Sequence, residues 1–220
     1  MKALKIFRTL CFGFLLTFGL VLGGYLISEN TLPPLQAKSS FTPPIISLRE
    51  VPNSPLKELA DRQLVFLDSL GRKWEAPEGT LTDGASVPRL GLLITDGRFE
   101  RHLLKASVIH DAYCAVDNAD RCPEQYQSRP WQEVHRMFYE ALLAGGTPRV
   151  RAGVMFAAVW LGGPRWDDPD RNLATVSDEA IAAEFEVCRR WIIDDEPGRQ
   201  EIEDWMTRRE PQLIHPTAAR

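Results

Sequence analysis

At 220 residues, with 44% hydrophobic and 25% charged side chains, the chain has the composition of a globular protein with material for one sizeable core. That excludes a disordered, collagen-like or coiled-coil chain. The formal net charge of −4, with no basic block after Arg8, gives no electrostatic pull toward nucleic acid, so no nucleic-acid partner is expected.

The first element is an N-terminal membrane segment over 1–28. Lys2, Lys5 and Arg8 precede an uncharged run from Thr9 to Ile27. About nineteen helical residues reach roughly 28 Å, close to the hydrocarbon thickness of a bilayer. The basic flank places the remainder on the non-cytoplasmic side, periplasmic or extracellular. A cleaved signal peptide is the competing reading. Its apolar core is usually shorter and ends in a small-x-small site, whereas this run ends Gly23-Gly24-Tyr25-Leu26-Ile27-Ser28. Cys11 has no lipobox before it. Gly19 and Gly23 form a GxxxG pair on which two such helices can self-associate.

Residues 29–57 read as a proline-rich linker, because Pro33-Pro34, Pro43-Pro44, Pro52 and Pro55 forbid a long helix. The globular domain is expected over 58–195. Gln63–Asp68 and Arg72–Ala76 are its first two strands, joined at Ser69-Leu70-Gly71 into a hairpin. Four helices follow, over 101–116, 130–144, 150–162 and 177–194. The third is apolar nearly all round yet short for a bilayer, which marks it as a buried central helix. A short amphipathic helix over 198–209 lies within a C-terminal segment, 196–220. The fold class expected is α+β and mostly helical: one small hairpin packed on a helical hairpin and the buried third helix.

Three stretches carry chemistry: Thr82-Asp83-Gly84-Ala85-Ser86-Val87-Pro88-Arg89, Val108–Cys114 with its His110-Asp111 pair, and Arg129–Phe138 with His135. If the first two helices are antiparallel, His110 and His135 lie within about one turn of each other in height. His110 shares a face with Leu103, Ala106 and Cys114; His135 shares one with Trp131, Phe138 and Leu142. Two histidines on facing apolar stripes, with Asp111 or Asp83 nearby, suit two chemistries. One is general acid–base hydrolysis by His110, Asp111, Asp83 and His135. The other is a divalent metal on His110, Asp111 and His135. A structural role, with both histidines bonded within a helix contact, is the third possibility. Ser86, Arg89 and Arg129 are candidates for holding a substrate group, although Ser86 lacks a nucleophile elbow.

The order TDGASVPR, then a helical His-Asp pair, then Arg129 followed by His135 and Phe138, resembles the bacterial and phage domain of unknown function 1353, over about residues 60–166. The matching positions are Thr82, Asp83, Ala85, Ser86, Pro88, His110 and Asp111. The chain departs at His135, where the family commonly has Asp, and at Cys114, where an aromatic is frequent. The resemblance implies a fold and a candidate site, and no reaction. More loosely, the His-Asp pair is similar to that of small secreted phospholipases. That similarity implies His110 as base, Asp111 as calcium ligand and an orienting carboxylate on the antiparallel helix; His135 stands in that place and cannot stabilise an imidazolium as a carboxylate does, so Asp83 or Asp117 would take the role.

Cys114 and Cys122 are expected to form a disulfide if the domain lies outside the cytoplasm. With His110 they also allow a zinc reading, although their spacing is wider than usual. Two functions remain open: a membrane-tethered hydrolase, and a non-enzymatic envelope or phage-associated module in which the same residues lock the loop to the helical hairpin.

Overall fold

Alternation of apolar residues builds the first sheet. In β4 (Gln63–Leu67) Leu64 and Phe66 are fully buried, and in β5 (Lys73–Pro77) so are Trp74 and Ala76. The antiparallel register sets Leu64 opposite Ala76 and Phe66 opposite Trp74, so both apolar sets share one face. The Asp68 carboxylate closes the turn between them. It accepts hydrogen bonds from the amides of Leu70 and Arg72, from Arg72 Nε at 2.6 Å and from Trp74 Nε1 at 3.0 Å. Burial pushes this carboxyl up, but the Trp74 and Arg72 donors together hold it below the usual carboxylate range.

The computed structural model describes residues 38–84, 86–87, 90, 92–93 and 100–215. The apolar Thr9–Ile27 run, Gly19 and Gly23 lie outside these residues, as does Arg89. Among the described residues, no helix is long and apolar enough to cross a membrane.

The stretch expected to be a linker contributes two strands. β1 (Ser40–Thr42) pairs with the edge of β4, and the Phe41 and Phe66 rings lie 4.8 Å apart. β2 (Leu48–Glu50) pairs with β3 (Lys57–Leu59), which pairs in turn with β6 (Leu81–Thr82). The prolines punctuate these strands: Pro43 and Pro44 stand between β1 and β2, and Pro52 and Pro55 between β2 and β3. Proline excludes helix but tolerates turns and short edge strands, so proline density alone does not mark a tether. The fold class is α+β with about half of the described residues helical, and two small three-stranded sheets replace the single hairpin. A short ladder of β7 (Ser86–Val87) and β8 (Leu92–Leu93) follows.

Five helices follow in the described chain: α1 (Arg101–Cys114), α2 (Trp131–Ala144), α3 (Arg149–Gly162), α4 (Asp178–Asp195) and α5 (Arg199–Ile214). Pro130 and Pro148 stand at the N-caps of α2 and α3, and the Ser177 hydroxyl caps α4 by accepting from the Ala180 amide. α3 is buried along nearly its whole length between α2, α4 and α5, as its apolar sequence demands. α5 is longer than expected and belongs to the core. Its Glu210, 2% exposed, accepts from Trp160 Nε1 at 2.9 Å and pairs with Arg165 and Arg171.

α1 has no solvent face in its second half. Every residue from Ala106 to Cys114 is buried, because the β4–β5 sheet covers one side and α2 the other. Tyr113 reaches the sheet, its ring edge-on to Trp74 at 5.1 Å and its hydroxyl accepting from the Glu75 amide. The polar pair His110-Asp111 is therefore held inside the protein by the helix that carries it.

Asp68→Ala is expected to cost about 3 kcal/mol in urea unfolding, since it leaves a buried indole N–H and an arginine without their acceptor. A loss within experimental error would show that water replaces the carboxylate freely.

Candidate functional site

Two clamps fix the loop that begins at Thr82 against the end of α1. Asn118, fully buried in a 3-10 turn (Val116–Asn118), accepts from the Leu81 amide at 2.8 Å and donates to the Leu81 carbonyl and the Asp111 carbonyl, each at 2.9 Å. Thr82 Oγ1 donates to Asp111 Oδ2 at 2.5 Å and accepts from the Gly84 amide at 3.0 Å. These bonds leave Asp111 Oδ1 facing His110, 3.5 Å from Nδ1. Asn118 is absent from the motif reading, and nothing in its local sequence signals that it bridges a loop and a helix.

The helical hairpin brings the two histidines together. His110 Nε2 lies 3.0 Å from His135 Nδ1, and the Phe138 ring covers His110 at 4.6 Å between centroids. His135 is fully buried among Trp131, Trp166 and the turn after α3. Gly163 permits that approach: a Cβ there would stand 2.3 Å from the Val159 carbonyl oxygen and 3.1 Å from the His135 ring. Burial holds the His135 imidazole well below its ordinary value, and the charges of His110 and Arg165 push the same way. The Pro164 carbonyl acts in the opposite direction, yet His135 Nε2 makes no hydrogen bond of ordinary geometry. His135 is thus a neutral imidazole at neutral pH.

A pocket of about 220 Å³ is lined in part by His110. His110, Asp111, Asp83, Cys114 and Asp117 give it polar groups, and Leu56, Leu81, Phe138, Met155 and Val159 give it apolar walls. His135 is not among its lining residues. Of the residues expected to hold a metal, His135 meets His110 at Nε2, and the potential ligand atoms that converge are those of His110, Asp111 and Cys114, all within 4.8 Å of one another.

The cysteines are also reassigned. Cys114, Cys122 and Cys188 are all free and buried. Cys122 Sγ lies 3.3 Å from Thr80 Oγ1, while Cys114 Sγ lies 3.4 and 3.7 Å from the two nitrogens of His110. No Cys114–Cys122 bridge forms, because the two thiols have different neighbours; the same divergence removes Cys122 from any zinc set with His110. Burial pushes the Cys114 thiol well above its ordinary value, with Asp111 and Asp83 adding to the shift, so it is no thiolate nucleophile at neutral pH. Arg129 is committed elsewhere. Its guanidinium donates to the Lys73 carbonyl and lies 4.0 Å over the Trp74 ring, outside the pocket. Ser86 falls in β7, next in the chain to the described part of the loop, and Arg89 lies outside the described residues.

Residues 60–159 match the model of a family described as protein of unknown function, DUF1353. An uncharacterized protein, y4iH, of Sinorhizobium fredii (strain NBRC 101917 / NGR234) is 35% identical over 119 residues, 54% of this chain and 46% of its own length. A second from the same organism, the uncharacterized protein y4jT, is 41% identical over 112 residues, 51% of this chain and 30% of its own. The chain therefore spans less than half the length of either relative. No solved structure matches it.

The His135 shift carries a stability consequence. Its folded value lies below its unfolded value of about 6.5, so the unfolded state binds the proton first. The contribution is full above about pH 6.5 and is lost as pH falls, by at most about 1.4 kcal/mol per unit. Urea midpoints at pH 7.5 and 5.5 should fall more for the unaltered protein than for His135→Gln; equal falls would contradict a buried neutral His135. With the loop, the His-Asp helix and the antiparallel helix all inside the matched span, the chain over residues 60–159 resembles the DUF1353 proteins of unknown function.

Proposed function

We propose that this protein is a membrane-tethered hydrolase of small, partly apolar substrates, with the domain on the non-cytoplasmic side. One observation carries the hydrolase reading: a pocket with apolar walls whose polar residues include His110, Asp111 and Asp83. A substrate's apolar group fills the walled part, and its ester or amide bond lies against the polar groups. His110 Nδ1 takes the proton from an attacking water, the role of a general base. Asp111 Oδ1, 3.5 Å from that nitrogen, favours the cation that forms. His135 accepts a hydrogen bond from His110 Nε2, taking the place of the orienting carboxylate in the looser phospholipase similarity. It holds the ring as a neutral acceptor and adds no negative charge. The tether rests on the basic-then-apolar segment up to Ile27.

A second reading has its own support. The Thr82–Asp111 bond and the Asn118 clamp tie the loop to α1, as an interaction module with a rigid loop would require. The His110→Ala variant separates the two. With chromogenic acyl esters and anilides as probes, it should lose about 100-fold or more of the activity while still melting cooperatively. A variant as active as the parent contradicts the hydrolase. A protein inactive on every probe, whose His110→Ala form differs only by a lower Tm, favours the module.

A further inference from the structure

We infer that this pocket binds one zinc ion through His110 Nδ1, Asp111 Oδ1 and Cys114 Sγ, with its remaining coordination positions open to the pocket. The inference deepens the hydrolase reading and rests on it for its catalytic meaning, but not for its geometry: with zinc bound, the His110 Nδ1 lone pair is given to the ion, and a water at an open coordination position would replace His110 as the source of the nucleophile.

Three donors from one turn of α1 converge: His110, its neighbour Asp111, and Cys114 one turn on. Each is nearly but not wholly buried, at 7%, 8% and 7% exposure, and all three line the pocket. Two of the three separations suit a single ion as they stand, and the third, between Asp111 and Cys114, is within 4.8 Å. Bonds of about 2.0 Å to nitrogen or oxygen and about 2.3 Å to sulfur, at tetrahedral angles, set neighbouring donors roughly 3.3–3.6 Å apart. His110 Nδ1 lies 3.5 Å from Asp111 Oδ1 and 3.4 Å from Cys114 Sγ. The sulfur is nearly equidistant from both ring nitrogens, so it rests over the imidazole face.

Each ligand that has a second donor atom has it held by the protein. His135 Nδ1 engages His110 Nε2, and Thr82 Oγ1 engages Asp111 Oδ2. Such outer contacts orient metal ligands and fix the histidine tautomer. The nitrogen–oxygen–sulfur set selects zinc over calcium or magnesium, which take all-oxygen sites. Three protein ligands plus solvent is the pattern of a catalytic zinc. On binding, the Cys114 thiol releases its proton to solvent and the thiolate bonds the ion; nothing is oxidised or reduced.

The test uses the full chain in detergent, stripped with a chelator. Zinc titration should show one ion per chain, and cobalt in its place should give a sulfur-to-cobalt charge-transfer band. Cys114→Ser should lose that band and bind zinc at least 10-fold more weakly, while Cys11→Ser, Cys122→Ser and Cys188→Ser keep both. No stoichiometric zinc, or a band that survives Cys114→Ser, overturns the site. The unaltered protein alone also decides the thiolate, because cobalt bound without the band overturns it even if Cys114→Ser fails to fold. Zinc bound as described without hydrolysis of any probe keeps the site and removes the hydrolase. Hydrolysis by a protein that binds no zinc does the reverse.

Discussion

The contact between His110 and His135 decides what the pocket can do. An imidazole has two nitrogens, and the 3.0 Å approach of His135 Nδ1 occupies one of those on His110. Only Nδ1 is left for anything in the pocket, and Asp111 and Cys114 stand beside that atom. The contact depends on the packing around it. Phe138 and Trp131 flank the rings, and Gly163 lets the chain pass where a methyl group would collide with backbone. The pair also has two proton arrangements. Only the one in which His110 carries its proton on Nε2 leaves Nδ1 bare, and both the general base and the zinc ligand require it.

Among the described residues, buried side-chain polar atoms are otherwise hydrogen-bonded except Trp131 Nε1 and Arg165 Nε. Asp68, Asn118 and Glu210 are each almost fully buried and each is met by several partners, local ones for Asp68 and distant ones for Asn118 and Glu210. Asp111 is met on one oxygen by Thr82, while its other oxygen faces the pocket side of His110. That contrast separates a carboxylate that holds the fold from one with capacity to act. It also explains why the His-Asp pair tolerates its position on the half of a helix that has no solvent face.

Much of this was legible in the sequence, for identifiable reasons. The β4–β5 hairpin shows as two runs rich in β-forming residues around a glycine turn, and α2, α3 and α4 show as helical segments with proline or serine at their starts. The meeting of His110 and His135 follows from their heights on an antiparallel pair. What was illegible depended on partners far away in the chain. β1 and β2 hide among prolines because their pairing strands come later. The reach of α5 depends on Glu210 meeting Trp160 and two arginines. Arg129 is drawn out of the site by Trp74, over fifty residues earlier. The i,i+4 relation of Cys114 to His110, by contrast, was legible as a shared helix face, and the thiol lies against the His110 ring.

The position of the His110 proton tests this account most directly. Nitrogen-15 NMR of the imidazoles in the full chain, with resonances assigned through His110→Ala and His135→Gln, reports which nitrogen of each ring is protonated. At pH 8 Nε2–H is expected on both His110 and His135, with His110 Nδ1 bare. A proton resident on His110 Nδ1 would leave the pocket neither base nor metal ligand and would contradict it.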